Sequence, residues 1–341
     1  MIFERSLLID FFKVFGAQLI FFHHLALYSP MAKILETELP ALIDFFVIHA
    51  KLPVSSFLVV GGYLCAKNLF DERLSISLLD LISRRCARLL PLYFFSIFAV
   101  IVVTIFWQSY LQDELWISAT PSLYALAAHL LLLQDLIGVP ALSAGAWYVS
   151  IDLQLYTLAL AVFLISRFVH SFDEEIIGLV FFVLSVVSLF LWSKDNLYDV
   201  CALYFIQAYG IGILAHLGEK NRLNFYFFLS LLFLLAADAF FQSSLKSCVI
   251  FLTAFLIFFM KKNYLLNNYF ARLFGSASNA SYAFFISHFF VIIIFTGMWK
   301  MLALEGFVLA GLFFLATWVF AFQMSFLLNS LYIRGRSFLS K

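Results

Sequence analysis

The chain has 341 residues, of which 64% are hydrophobic and 12% charged, and its mean hydropathy is +1.01. A soluble domain carries about twice that charged fraction. Apolar runs of membrane length recur from end to end, so a soluble fold is excluded and an all-α integral membrane protein is expected. The formal net charge of +1 offers no basic surface to a nucleic acid, and no stretch between the runs is long enough for a separate soluble domain.

The first run, 7–28, is preceded by Arg5 alone and followed by no small-residue cleavage site, so it reads as a retained helix. It carries Asp10, Lys13, His23 and His24. At 100° per residue, Lys13 and His24, eleven residues apart, return to nearly one face, about 16 Å apart in depth, with Asp10 within about 40° of that stripe. Ionisable groups inside a membrane helix must face protein or a wet cavity, and their default reading is functional. Lys13 stands toward the cytoplasmic side and His24 toward the outer side. His23 points about 100° away and reads as a hydrogen-bonded packing histidine.

The second run, 45–66, contains Gly61 and Gly62, which let helices approach closely. Arg84, Arg85 and Arg88 stand at the start of the third, 88–107, with Pro91 just inside. Two readings compete for the arginines. They can hold the loop on the cytoplasmic side, or their planar guanidinium groups can clamp phosphate oxygens. A shorter run, 122–137, is bounded or interrupted by Pro121, His129, Gln134 and Asp135. The next span, 146–166, carries Trp147, Asp152, Gln154 and Tyr156. Asp152 falls in its outer half, at the expected depth of His24, where a carboxylate would fix the imidazole tautomer and raise its basicity. The alternative is that Asp152 pairs with a basic group for packing.

Further spans are expected at 176–193, 198–217, 224–242, 245–260, 279–299 and 302–328, with His288 near mid-membrane in the ninth. Cys65, Cys86, Cys201 and Cys248 lie in or beside apolar runs without metal spacing, so they read as small apolar fillers, with no disulfide and no metal site.

Basic residues favour the cytoplasmic side. Lys67, Arg73, Arg84, Arg85 and Arg88 place the loop after the second span inside, and the N-terminus with it. If 122–137 does not cross, then Arg167, Lys220, Arg222, Lys261, Lys262, Arg272, Arg334, Arg336 and Lys341 all fall inside, and Asp113 and Glu114 outside. If it crosses, every later basic loop lands outside. Ten crossings with both termini cytoplasmic, and 122–137 re-entrant or interfacial, is therefore the expected topology.

These clusters, in this order, resemble the membrane acyltransferase family three, the bacterial polytopic O-acyltransferases of surface glycans. The resemblance spans nearly the whole chain, 1–341, as a single acyltransferase-type domain. The family's arginine, ten residues, histidine pattern falls on Lys13 and His24, preceded by Asp10. Its second-helix element looks like Phe57 through Tyr63. Its twin-arginine, proline, tyrosine element matches Arg84, Arg85, Arg88, Pro91 and Tyr93. Its tryptophan–serine–glutamate–glutamine–tyrosine element falls on Trp147, Ser150, Asp152, Gln154 and Tyr156, and its late serine–tyrosine–histidine element on Ser281, Tyr282, Phe285 and His288. Lys13 stands where the family has arginine, and Asp152 where it has glutamate.

The resemblance implies transfer of an acyl group, acetyl foremost, from cytoplasmic acyl-CoA to a hydroxyl of a cell-surface or lipid-linked glycan, such as lipopolysaccharide, at the bacterial inner membrane. Acyl-CoA would be a substrate, with no permanently bound cofactor. His24 would be the catalytic base or acyl carrier and Asp152 its orienting partner. Lys13, Arg84, Arg85 and Arg88 would bind the donor, and Asp10, Trp147, Gln154, Tyr156 and His288 would support. The same intramembrane His/Asp/Lys groups also fit a multi-pass transporter or glycan exporter, which has no need of a CoA phosphate site. A non-catalytic partner in polysaccharide assembly is a third reading.

Overall fold

The computed structural model describes residues 7–71, 78–111, 120–170, 174–260 and 268–339, and among them every regular element is a helix. In chain order these are α1 (Leu7–Tyr28), α2 (Pro30–Glu36), α3 (Pro40–Ile48), α4 (Pro53–Asp71), α5 (Leu78–Gln108), α6 (Leu123–Leu130) and α7 (Ala146–His170). They are followed by α8 (Glu174–Phe190), α9 (Ala202–Gly218), α10 (Arg222–Phe241), α11 (Leu245–Phe259), α12 (Asn268–Met301) and α13 (Phe307–Leu339). Among the described residues, eight helical segments are long and apolar enough to cross a membrane, and α9 and α11 are shorter apolar helices. The chain is built as a multi-pass membrane protein. Arg5 and, of the charges used to orient the chain, Arg73, Asp113, Glu114, Lys261, Lys262 and Lys341 lie outside the described residues.

Several boundaries differ from those expected, each for a local reason. The run 45–66 is two helices, α3 and α4, because Pro53 opens a new helix after the turn at His49–Leu52. Helix α5 begins ten residues before the apolar run, so Arg84, Arg85 and Arg88 lie within it, not at its start. Two 3₁₀ turns, Trp192–Lys194 and Asn196–Tyr198, delay α9 to Ala202. Helix α12 begins at Asn268 and absorbs the small polar stretch 275–281. Positive φ at Ala303 (49°) and Gly306 (93°) makes the turn that delays α13 to Phe307. The ambiguous run 122–137 yields only the eight-residue α6, about 12 Å long and too short to span a bilayer.

The chain divides into two compact units. The first comprises Met1–Phe12, Leu52–Arg85 and Ser150–Leu266. Helix α9 is its hub and is buried along almost its whole length, with α4, α8, α10 and α11 packed around it. Small residues permit this. A Cβ on Gly62 would lie 1.9 Å from the Tyr209 carbonyl oxygen, and one on Gly212 would lie 2.1 Å from that of Val59. Helices α4 and α9 therefore cross backbone to backbone, which lets dispersion hold them where lipid removes the hydrophobic drive.

The second unit comprises Lys13–Lys51, Cys86–Val149 and Asn267–Lys341. Helix α12 runs parallel to α5, joined by Tyr282 Oη–H donating to Leu89 O at 2.8 Å and Ser96 Oγ–H donating to Ile286 O at 2.5 Å. It also runs parallel to α1, where Phe21 meets Phe284 and His24 meets His288. Helix α13 is antiparallel to α1: Trp318 Nε1–H donates to Gln18 Oε1 at 2.5 Å, and Phe314 stacks on Phe22. The hydroxyls of Ser96 and Tyr282 and the amide of Gln18 are thus satisfied within the unit, as an apolar surround favours.

Substituting Gly62 or Gly212 with alanine should force α4 and α9 apart and lower the thermal unfolding temperature in detergent by several degrees or prevent folding, whereas Gly335→Ala, with open space around it, should leave it unchanged. Fluorescence-detected size exclusion after a heat challenge reads both, and a Gly62→Ala variant as stable as the parent would contradict the crossing.

Candidate functional site

Two pairs of polar side chains stand out, one in each unit. In the second unit, His24 Nδ1 lies 2.8 Å from His288 Nε2, with the rings stacked at 4.9 Å and 17°. His288 Nδ1 lies 2.5 Å from the Phe285 carbonyl oxygen, three residues earlier on α12. A carbonyl can only accept, so Nδ1 of His288 carries a proton. In a neutral ring its Nε2 then holds a lone pair, and His24 Nδ1–H is the donor to it. The basic nitrogen of a neutral His24 is therefore Nε2. His288 is 1% exposed and walled by Phe21 and Phe285, whereas His24 is half-buried. This directed chain from His24 to His288 to the Phe285 carbonyl fixes one tautomer and leaves one basic nitrogen facing away. His23, on the adjacent face, donates from Nδ1 to the Phe46 carbonyl at 3.0 Å, which is the geometry of a packing histidine.

In the first unit, Arg85 and Asp152 form a forked ion pair. Arg85 Nε–H donates to Oδ2 at 3.1 Å, and Nη2 lies 2.5 Å from both carboxylate oxygens. The guanidinium lies over the Tyr156 ring, 5.0 Å from its centroid, and Tyr156 Oη–H reaches the Leu81 carbonyl at 3.4 Å. Tyr209 packs on the same floor, where a Cβ on Gly61 would meet its ring at 3.3 Å and Asp152 Oδ1 at 3.9 Å. The fork, the ring face and the burial suit arginine and would not suit lysine.

These pairings correct two expectations. Asp152 was expected to orient His24. Its carboxylate is taken by Arg85, and the group that orients His24 is the His288 imidazole. Arg85 was expected to bind donor phosphate at a cytoplasmic mouth, but its hydrogen-bonding edge is committed to Asp152. The expected depths change with it. The contacts 81–156 and 85–152 set α5 and α7 antiparallel, with Arg85 seven residues into one and Asp152 six into the other. The two groups are therefore level, and the N-terminal ends of α5 and α7 lie about 20 Å apart along their common axis. The cause is the early start of α5 at Leu78, which sequence hydropathy does not mark.

The remaining candidates separate further. Arg84 and Arg88 are exposed and one turn apart on α5. Lys13 is half-buried and Asp10 buried on α1. Gln154 Oε1 accepts from Ala202 N–H at 2.9 Å, so it caps the start of α9, while its amide donates to Ser150 at 3.3 Å. Trp147 is half-buried beside Tyr148. No group of three or more metal-ligating side chains occurs among the described residues.

Three features escaped sequence reasoning. The Phe285 carbonyl is a main-chain group with no sequence signature beyond its place one turn before His288. Gly145 lies against that same oxygen, where a Cβ would be 3.2 Å away. In the segment around α6, His129 Nδ1–H donates to Ala125 O at 2.8 Å, and its Nε2 accepts from Leu142 N–H at 3.0 Å. Burial holds that imidazole below its ordinary pKa, in keeping with a ring that both donates and accepts.

Compared with protein-family models, with curated proteins and with solved structures, the chain matches none.

The Arg85–Asp152 pair should show strong coupling in a double-mutant cycle. Removing either partner leaves a buried charge and should cost about 3–5 kcal/mol, whereas Arg85→Met with Asp152→Leu should recover most of the loss. Additive single-variant losses in the midpoint of detergent denaturation would contradict the pairing.

Proposed function

We propose that this protein is a membrane O-acyltransferase that moves an acyl group, acetyl foremost, from cytoplasmic acyl-CoA to a hydroxyl of a cell-surface or lipid-linked glycan. The observation that carries this reading is the directed hydrogen-bond chain from His24 through His288 to the Phe285 carbonyl, which leaves His24 Nε2 as an oriented base. The ordered clusters of the sequence support it, with Lys13, Arg84 and Arg88 as the cations that would meet the donor. The proposal includes ten crossings with both termini cytoplasmic, in the bacterial inner membrane.

In this mechanism His24 Nε2 takes the proton of the acceptor hydroxyl as its oxygen attacks the thioester carbonyl carbon. The C–O bond forms, the C–S bond breaks, and the proton passes from His24 to the departing CoA thiolate. The products are the glycan ester and free CoA. When His24 is charged, its Nδ1–H donates into His288 Nε2 and His288 in turn into the Phe285 carbonyl, so the imidazolium is stabilised without a carboxylate. His288 is a positioning residue, because it acts through His24. Arg84 and Arg88, as exposed guanidinium groups in neighbouring turns, would meet the phosphates of the CoA moiety. A proton-coupled exporter could use the same imidazole pair but would need no acyl-CoA site.

His24→Ala should lower transfer from labelled acetyl-CoA by about 10²–10⁴-fold while the protein remains folded in the membrane. His288→Ala should lower kcat with little change in donor KM, and His288→Gln, which keeps an acceptor for Nδ1–H, should recover part of it. Arg84→Ala and Arg88→Ala should each raise donor KM about tenfold, since a charge-assisted contact contributes about 1.5–3 kcal/mol. Full activity in His24→Ala, or acyl-CoA binding indifferent to the arginines, would overturn the proposal.

A further inference from the structure

The carbonyl that anchors His288 is gripped from outside its own helix. Phe285 is 4% exposed. Gly145, the residue before α7, lies against it: a Cβ there would be 3.2 Å from the Phe285 oxygen and 3.6 Å from its ring. Tyr148, in the first turn of α7, meets the same ring edge to face at 5.1 Å and 68°. Phe285 is thus touched at its oxygen and at its ring by one short stretch of chain. Its oxygen is the acceptor 2.5 Å from His288 Nδ1, and its ring lies 6.1 Å from the His288 ring.

That stretch is itself tied down. Leu142 N–H donates to His129 Nε2 at 3.0 Å, and Ala146 N–H donates to Ser143 O at 3.0 Å, which closes the turn between them. His129 Nδ1–H donates to Ala125 O at 2.8 Å, so the ring is fixed to α6, and the His129 carbonyl accepts from Tyr93 Oη–H at 3.0 Å. Tyr93 and Ser96 are three residues apart on one face of α5, and Ser96 Oγ–H donates to Ile286 O, the carbonyl next to that of Phe285. Helix α5 therefore holds the 285–288 turn twice. It acts directly at Ile286, and through His129 and the 142–148 stretch at Phe285.

Hydrogen bonds weaken steeply as distance and angle depart from their optimum, and a close-packed interior passes on small displacements. We propose that Gly145, Tyr148 and His129 are positioning residues for the His24–His288 pair, clamping Phe285 so that its carbonyl keeps a proton on His288 Nδ1. The consequence reaches His24. Without that acceptor, His288 can carry its proton on Nε2 instead, where it faces His24 Nδ1. The direction of the bond between the rings then reverses, and His24 holds its proton on Nε2, where a base needs a lone pair. The clamp rests on the acyltransferase reading only for the use made of that base.

The full chain, labelled with ¹⁵N-histidine in lipid nanodiscs without donor or acceptor, reports the clamp in the ring-nitrogen resonances of His288 and His24. Gly145→Ala, Tyr148→Leu and His129→Leu should each shift both histidines toward mixed tautomers. His129→Gln, whose amide can both donate and accept, should restore the parent pattern. Gly311→Ala, where a Cβ meets only Leu35 at 3.9 Å, should leave it unchanged. Size exclusion confirms that each variant is folded, and if Gly145→Ala does not fold, Tyr148→Leu and His129→Leu decide. Parent-like resonances in the folded variants, or an equal disturbance in Gly311→Ala, would overturn the clamp. With acetyl-CoA, the disturbed variants should lose kcat at unchanged donor KM. Resonances that move as expected in a protein that transfers no acetyl group would leave the clamp standing and overturn the enzyme reading.

Discussion

Within a bilayer a polar side chain has no water to fall back on, so buried donors and acceptors are driven to pair inside the chain. That constraint organises this protein. It explains why Arg85 and Asp152 fork together under an aromatic ring, and why Gln154 turns its amide onto the first N–H of α9. It also explains why two histidines from helices far apart in sequence lie ring against ring. The packing that allows these pairings depends on small residues, above all Gly62 and Gly212, where α4 and α9 meet without side chains between them.

The two polar pairs differ in chemical character. Arg85 turns its Nε and Nη2 edge onto both oxygens of Asp152, and a forked pair of this kind positions helices. The His24–His288 pair is directional: a proton is fixed at each Nδ1, the terminal acceptor is a carbonyl, and a lone pair remains on His24 Nε2. On the proposed reading that difference divides their work. One pair locks the first unit internally. The other presents a base, with a second imidazole in the orienting role that a carboxylate was expected to fill.

Much of the architecture was legible in the sequence, because hydropathy alone marks apolar helices. The membrane character, most of the spans and the failure of 122–137 to form a full helix all follow from run length and interruption. Helix ends were less legible. The polar first turns of α5 and α12 continue helices that hydropathy ends early, and Pro53 splits a run that hydropathy joins. The eleven-residue spacing places His24 and His23 on different faces, as helix periodicity requires, and they meet different partners, His288 and the Phe46 carbonyl. The partners of His24 and Asp152 were not legible. Choosing between a carboxylate and an imidazole requires the depths of α5 and α7, and those depend on the early start of α5. The Phe285 carbonyl has no side-chain signature at all.

The tautomer of His24 tests the central claim most directly. With ¹⁵N-labelled histidine in nanodiscs, the ring nitrogens of His24 can be assigned by comparison with His24→Gln and His288→Gln. The expected result is a protonated Nδ1 and an unprotonated Nε2 on His24, coupled to a protonated Nδ1 on His288, with the His24 pattern disturbed when His288 is replaced. A His24 protonated at Nε2, or one indifferent to His288, would contradict the directed chain and remove the base on which the proposed chemistry depends.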